Sequence, residues 1–308
     1  MKLEQYNLIA VVGATASGKT SLAVELAKGW QGEILSADSR QVYRGMDIGS
    51  GKDLNEYGDI PYHLIDIADP NEEYNLFRFQ QDFYAAFTDV TTREMTPILC
   101  GGTFLYIDAI LSGYEMIEVK PDGQFRDAVA NKTTAELRKD LIAINPSPHN
   151  TTDTEDRERI IRALEINIAN SQSNTQINKP DVNAIVMAID WTRPDRTERI
   201  KNRLEQRLNE GMIEEVKQLH DKGVSWERLY QLGLEYRFIA QYIQGSLNFN
   251  DMYQKLASAI VKFAKRQDNW LRKLQRNDLN IHMLDPNQPL LAQANQIIKE
   301  CESNQSES

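Results

Sequence analysis

Eight residues near the N-terminus, Gly13-Ala14-Thr15-Ala16-Ser17-Gly18-Lys19-Thr20, are spaced to hold a phosphate. They fit the pattern G-x-x-x-x-G-K-[ST] of a phosphate-binding loop, or P-loop. The two glycines let backbone N–H groups turn toward an anion with no side chain in the way. Lys19 can reach terminal phosphate oxygens, and the Thr20 hydroxyl can ligate Mg2+. The pattern names a di- or triphosphate and not ATP. The alternative is a glycine-rich strand-to-helix turn that binds nothing.

Two further runs carry polar groups suited to chemistry. Asp38-Ser39-Arg40-Gln41 offers a carboxylate that can hold Mg2+ through water or take a proton from a nucleophile. Ser39 and Gln41 can hydrogen-bond a base edge. The plainer alternative makes Asp38 the cap of a helix running through Ser39–Tyr43. Gly101-Gly102-Thr103 permits close backbone approach and adds a hydroxyl; here the alternative is a turn and a second helix cap. No acidic residue ends the run Ile98–Cys100, so an ATPase-type Walker-B aspartate is absent there, which weakens a motor or switch reading.

These runs need elements to position them. The apolar segments Leu8–Val12, Gly32–Ala37 and Pro97–Cys100 read as buried strands. Helical patterns follow: Ser21–Ala27 after the first strand, then Leu76–Arg93 and Phe104–Leu111. Alternating strands and helices predict an α/β fold with a parallel sheet and helices on both faces. Ligands then bind beyond the carboxyl ends of the strands. The P-loop, Asp38 and Gly101–Thr103 all follow such ends and should converge on one crevice. A later strand is expected within Val182–Trp191, returning to that sheet.

Between these parts the pattern changes. Residues 123–162 read as helices, broken at Asn145–Asn150, and 170–181 as a Ser/Asn/Gln-rich loop. The spacing of Ile200, Leu204, Leu208, Met212, Ile213 and Val216 predicts one helix face over Glu198–Leu219, interrupted by Gly211. In the last long helix, Leu256, Ile260, Phe263, Trp270, Leu271 and Leu274 read as core. The expected organisation is a P-loop core at 1–122, a helical insertion at 123–181, a second core part at 182–301 with basic helices, and a disordered tail at 302–308.

A net charge of −10 argues by itself against a nucleic-acid partner. The local distribution opposes that: basic residues cluster at Arg157–Arg162, Arg193–Arg207 and Lys262–Arg276. Interleaved acids such as Glu158, Glu198, Glu205 and Asp268 allow the plainer reading of solvated helix faces. Two cysteines and no zinc-ligand spacing argue against a disulfide framework or a zinc site. Cys100 reads as a small buried strand residue. No signal pattern or membrane-spanning run is evident, and the expected setting is a cytoplasmic enzyme.

Taken together, GATASGKT, SADSRQVYRGMDIGSGK, PILCGGTFLYIDAIL, ERIIRALEI, EGMIEEVKQL and AKRQDNWLR resemble the tRNA dimethylallyltransferase (tRNA isopentenyltransferase) family. The resemblance runs from about residue 7 to residue 275. It implies a P-loop NTPase-like sheet with a helical insertion. The implied activity is transfer of a dimethylallyl group from dimethylallyl diphosphate to N6 of the adenosine just 3′ of a tRNA anticodon, with diphosphate leaving. It implies that Gly13, Ala14 and Thr15 to Thr20 hold the donor diphosphate, with Arg203 nearby and Mg2+ on Thr20. Asp38 is implied as the general base, with Thr103 and Lys19 as its catalytic companions. Asp38, Ser39, Arg40, Gln41 and Thr103 would grip the adenosine; Arg126 and Glu158, Arg159, Ile160, Ile161 and Arg162 would contact the anticodon arm. The expected state is a monomer with no membrane partner.

Three departures touch the anticodon arm, the first being a helical insertion shorter than the family's. Asn150–Asp156 stands where the family usually shows His-Pro-Asn-Asp, and Glu158 stands where glutamine is common. The competing readings are an adenylate isopentenyltransferase acting on free nucleotides, a P-loop small-molecule kinase and a non-catalytic RNA-binding relative. The helical insertion and basic helices favour tRNA over a free nucleotide. Intact Lys19, Thr20, Asp38 and Thr103 speak against a non-catalytic relative.

Overall fold

The computed structural model describes residues 3–114, 116–144, 156–172, 179–276 and 279–304. The chain divides into two compact units: Met1–Gly113 with Pro180–Ser308, and Tyr114–Lys179.

The first unit opens with β1 (Leu8–Val12), α1 (Lys19–Trp30), β2 (Gly32–Ala37), β3 (Tyr62–His63), α2 (Leu76–Thr92), β4 (Thr96–Gly101) and α3 (Phe104–Leu111). The second unit holds α4 (Gly123–Ala128), α5 (Thr134–Ile144) and α6 (Arg157–Gln172). The first unit resumes with β5 (Ala184–Ile189), α7 (Arg193–Asn209), α8 (Met212–Asp221), α9 (Trp226–Gln231), α10 (Leu234–Ile243), α11 (Phe249–Arg276), β6 (Ile281–Leu284) and α12 (Leu290–Asn304).

All six strands run parallel in the order β3-β2-β4-β1-β5-β6. β1 is central and fully buried, which explains its unbroken apolar run. Successive side chains alternate between two cores. Leu8, Ala10 and Val12 pack with Phe79, Phe83 and Phe87 of α2 and with residues of α3, α7, α8, α10 and α11. Ile9 and Val11 pack with Leu22, Leu26 and Trp30 of α1 and Ala294 and Ile298 of α12. The alternation places helices on both faces, as expected.

Several local expectations change. α7 and α8 are separate helices, because Gly211 sits at φ 103, a left-handed conformation that ends the first and precedes the second. Phe263 is exposed rather than core, with the Arg266 guanidinium over its ring. β3 and β6 join the sheet edges, and α12 covers one face, all unforeseen. Glu302 is no part of a disordered tail: its carboxylate accepts from the backbone N–H groups of Glu4, Gln5 and Tyr6. Residues 305–308 lie outside the described residues.

The second unit has its own small core of Val129, Leu137, Leu141, Ile160, Ile161 and Leu164. Its organising charge is the buried Glu165. That carboxylate accepts from the Asp122 N–H at 3.0 Å, Arg126 Nε at 2.7 Å and Arg162 Nη1 at 3.0 Å. Arg162 also donates to the Val119 carbonyl. These bonds tie 119–122 to the helices, which is why the unit begins before the expected residue 123. α6 continues to Gln172, into the segment expected as a loop; 173–178, the 145–150 break and 150–155 lie outside the described residues.

Candidate active site

The carboxyl ends of β1, β2 and β4 lie side by side, with Val12 and Ala37 both paired to Gly101. The three chemistry-bearing runs therefore meet. The Thr103 N–H donates to the Ala37 carbonyl at 3.1 Å. The Ser39 N–H donates to Thr103 Oγ1 at 3.0 Å, and the Thr103 hydroxyl donates to Ser39 Oγ at 3.3 Å. Thr103 precedes α3 but makes no side-chain cap bond, so its hydroxyl serves the Asp38 turn instead.

Asp38 is not a helix cap. The chain turns after it rather than entering a helix, and its Oδ1 accepts from the Arg40 N–H at 2.9 Å. Oδ2 has no donor among the described residues and can accept a proton. Gln41 departs from the base-edge expectation. It is buried; its Oε1 accepts from Ser36 Oγ at 2.8 Å and its Nε2 donates to the Gly51 carbonyl at 3.0 Å. Both would otherwise be buried without partners, so the amide is spent inside the protein.

The P-loop is held by its carbonyls. Trp191 Nε1 donates to the Ser17 carbonyl at 2.9 Å, and Arg199 Nε donates to the Ala16 carbonyl at 2.9 Å. Arg199 also lies over the Trp191 ring, 4.4 Å from its centroid. With those carbonyls tied outward, the opposite edge of the loop is left to its N–H groups. From Ala16 to Thr20 none of them has an acceptor among the described residues. The exception is Thr15, whose N–H donates to Gln267 Oε1 at 2.9 Å. Thr15 is thus not a backbone donor to phosphate here. Gln267, on α11, also donates from Nε2 to the Gly102 carbonyl at 2.7 Å, bridging the P-loop to the turn after β4.

Lys19 is half-buried, and its nearest acceptor is the Ala14 carbonyl at 3.5 Å. Burial pushes the ammonium pKa down; the nearby charges of Arg203 and Arg207 add to this, and Asp38 opposes it. The Ser17 hydroxyl is buried and has no partner among the described residues. Thr20 is hydrogen-bonded with the Cys100 thiol, whose pKa burial raises to about 11, making it an inert strand residue as expected.

On α7, Arg203 and Arg207 share one carboxylate, Asp53. Asp53 belongs to a loop fixed from beneath by the buried Glu215, which accepts from the N–H groups of Asp47, Ile48 and Gly49 at 2.7, 2.6 and 3.0 Å. Tyr236 donates to the same carboxylate at 2.8 Å. The buried Lys52 ammonium binds the Tyr43 carbonyl, Asp47 and Asp66.

A family model for IPP transferase matches residues 41–274, and one for isopentenyl transferase matches residues 6–57. The chain is 51% identical over 282 residues to tRNA dimethylallyltransferase 2 of Trichlorobacter lovleyi, covering 91% of this chain and 92% of that one. It is 48% identical over 293 residues to tRNA dimethylallyltransferase 1 of Geotalea uraniireducens, covering 95% and 97%. The chain belongs to the IPP transferase family. Among solved structures, the tRNA isopentenylpyrophosphate transferase of Bacillus halodurans superposes with a TM-score of 0.72 at 30% identity, over 99% of this chain and 100% of that one. A eukaryotic dimethylallyltransferase acting on tRNA, at 23% identity and a TM-score of 0.74, shares the fold over 91% of this chain and 74% of its own. The P-loop NTPase-like fold read from the sequence is therefore shown.

Within this family frame, the structure unites Lys19, Thr20, Asp38, Ser39, Arg40 and Thr103 at the strand ends and brings Arg203 to the P-loop. The residues expected to touch tRNA in the second unit fare differently. Ile160 and Ile161 are core residues, because their positions on α6 face α5. Arg126 and Arg162 are counter-ions of Glu165, while Glu158 and Arg159 lie on the exposed face. Sequence reasoning missed Trp191, Gln267 and Arg207 as site residues. Trp191 carried one available signal, its place directly after a strand of the sheet.

Proposed function

We propose that this protein transfers a dimethylallyl group from dimethylallyl diphosphate to N6 of the adenosine 3′ to a tRNA anticodon. The observation that carries this reading is Asp38 Oδ2, which has no donor among the described residues, beside a P-loop whose lysine has no carboxylate partner among them. A kinase or ATPase reading would want an acid at the end of β4, and Gly101–Thr103 stands there instead.

The geometry suits the reaction. An exocyclic adenine amine is a weak nucleophile because its lone pair is delocalised into the ring. As N6 bonds to the donor's first carbon, Asp38 takes the N6 proton. The carbon–oxygen bond breaks and its electron pair leaves with the diphosphate. Lys19 and the unpaired N–H groups of Ala16 to Thr20 stabilise that charge. Ser39, Arg40 and Thr103 line the adenosine side, with Gln41 supporting the turn from within. The base must leave its stack to reach Asp38. Glu158, Arg159 and Arg162 of α6, with Arg126, are assigned to the anticodon arm.

Mg2+ fits this site only with the substrate's help. Among the described residues no group of three or more His, Cys, Asp or Glu could hold a metal, so the Thr20 hydroxyl and the diphosphate's own oxygens would be its ligands. When bound, the ion neutralises charge on the departing diphosphate. No described helix is long and apolar enough to cross a membrane. We place the reaction in the cytoplasm, with a monomer as the working unit.

The test is single-turnover transfer of labelled dimethylallyl from its diphosphate, with tRNA and AMP offered in parallel. Label in tRNA alone supports the proposal; label in AMP, or in neither, overturns it. Lys19→Ala should raise the KM for the donor by about 10- to 100-fold, the loss of a charge-assisted contact. Unchanged donor affinity would contradict the phosphate assignment.

A further inference from the structure

Beside the P-loop lies a small cavity of about 20 Å³ lined by Thr15, Ala16, Arg203, Arg207 and Glu235, with apolar walls from Ile200, Leu204, Met212 and Ile260. Arg203 and Arg207 are one helical turn apart on α7, so both guanidiniums reach the same side. Arg207 is only 8% exposed. A guanidinium carries five N–H donors. The only acceptor for them among the described residues is Asp53 Oδ2 at 3.3 Å, which Arg203 holds more closely. A buried cation with most of its donors unpaired is costly unless an anion completes it.

The surroundings keep Arg207 in place. A Cβ at Gly51 would lie 1.9 Å from Arg207 Nη2, and Gly51 has φ +67, so the loop backbone packs directly on the guanidinium. Burial lowers the Arg207 pKa, and the Arg203 charge adds to this. Its charge is also felt at Lys19. Two guanidiniums therefore line the cavity, with the Lys19 ammonium near enough to feel both charges. Across from them, Glu235 opens the first turn of α10 and makes no ion pair among the described residues. Burial raises the Glu235 pKa, as does the Asp38 charge, while Arg207 and Arg40 lower it.

We propose that Arg207 is a second guanidinium of the donor-diphosphate site, acting beside Arg203, and that Glu235 competes with the diphosphate for it. This rests on the reading that the P-loop holds the donor diphosphate. A diphosphate seated on Ala16 to Thr20 gains Arg207 as a further donor, against the through-space pull of the Glu235 carboxylate on the same guanidinium. The same competition helps to eject the pyrophosphate product after transfer.

The probe is inorganic pyrophosphate, whose binding is measured by calorimetry on the full chain at pH 8.5, where a carboxyl with a raised pKa ionises more fully. Its inhibition constant against the donor is measured alongside. Arg207→Met keeps the apolar stem and should weaken pyrophosphate about 10- to 100-fold, the range for a lost charge-assisted bond. Arg207→Lys should recover part of the loss. Glu235→Gln should tighten pyrophosphate several-fold, the opposite sign. A merely structural role would weaken binding in both Arg207→Met and Glu235→Gln, and that result overturns the proposal. So does pyrophosphate affinity within twofold of wild type for Arg207→Met. If the wild type itself neither binds pyrophosphate nor transfers the prenyl group, the underlying diphosphate reading fails instead.

Discussion

Replacing Asp38 by alanine is expected to lower single-turnover prenyl transfer by a factor on the order of 10^2 to 10^4, while tRNA affinity stays close to that of the wild type. The carboxylate is anchored on one oxygen by the Arg40 N–H and is free on the other. Its loss removes the proposed proton acceptor without removing a P-loop contact or a backbone support of the sheet. Asp38→Asn sharpens the result. The amide oxygen keeps the bond to Arg40, so the turn survives, yet the group no longer takes a proton. Both variants should be similarly slow. Normal turnover by the asparagine variant would eliminate proton transfer to this residue, and a slow alanine variant beside a fast asparagine variant would assign Asp38 to shaping the turn alone.

Glu215→Gln should lower the free energy of unfolding by about 2–4 kcal/mol, read from the urea midpoint, and should raise the donor KM in the fraction that remains folded. The carboxylate receives three backbone N–H groups and the Tyr236 hydroxyl. A glutamine accepts on one side only. Its NH2 then faces donors, leaving one or two of them buried without a partner. The loop it holds carries Gly51 and Asp53, so slack at Glu215 passes to the Arg203–Asp53–Arg207 fork. A donor KM that stays constant while stability falls would disconnect the clamp from the diphosphate site. A midpoint equal to wild type would dispose of the clamp altogether.

What could be read from the sequence, and what could not, follows from range of interaction. The central strands were legible because both faces of β1, β2 and β4 are buried, which writes an unbroken apolar run into the chain. The P-loop and Asp38 were legible because phosphate and proton chemistry restrict residue type within a few positions. β3 and β6 were not, since an edge strand of two or four residues carries too little pattern. Gly211 reads as a tolerated interruption in the sequence, because only its positive φ separates a flaw from a stop. The partner of Arg126 was hidden because its salt bridge to Glu165, 39 positions away, leaves no spacing signature, whereas Arg162–Glu165 is an i,i+3 pair on one helix that the spacing did carry. Gln267 falls within one of the family motifs, but its two bonds cross the whole sheet unit and no local pattern encodes them.

That last pair of bonds has a bearing on how the protein is made. Thr15 and Gln267 are 252 positions apart, so the phosphate loop is finished by a helix that leaves the ribosome long after it. Trp191 and Arg199, which tether the same loop, also emerge late. A nascent chain therefore carries the phosphate motif through the synthesis of more than 170 further residues without a finished site around it. Capacity to capture donor should appear abruptly, once α11 has emerged, rather than build up as β1, β2 and β4 emerge. Chains stalled before α11 should be silent toward pyrophosphate even with the whole motif exposed.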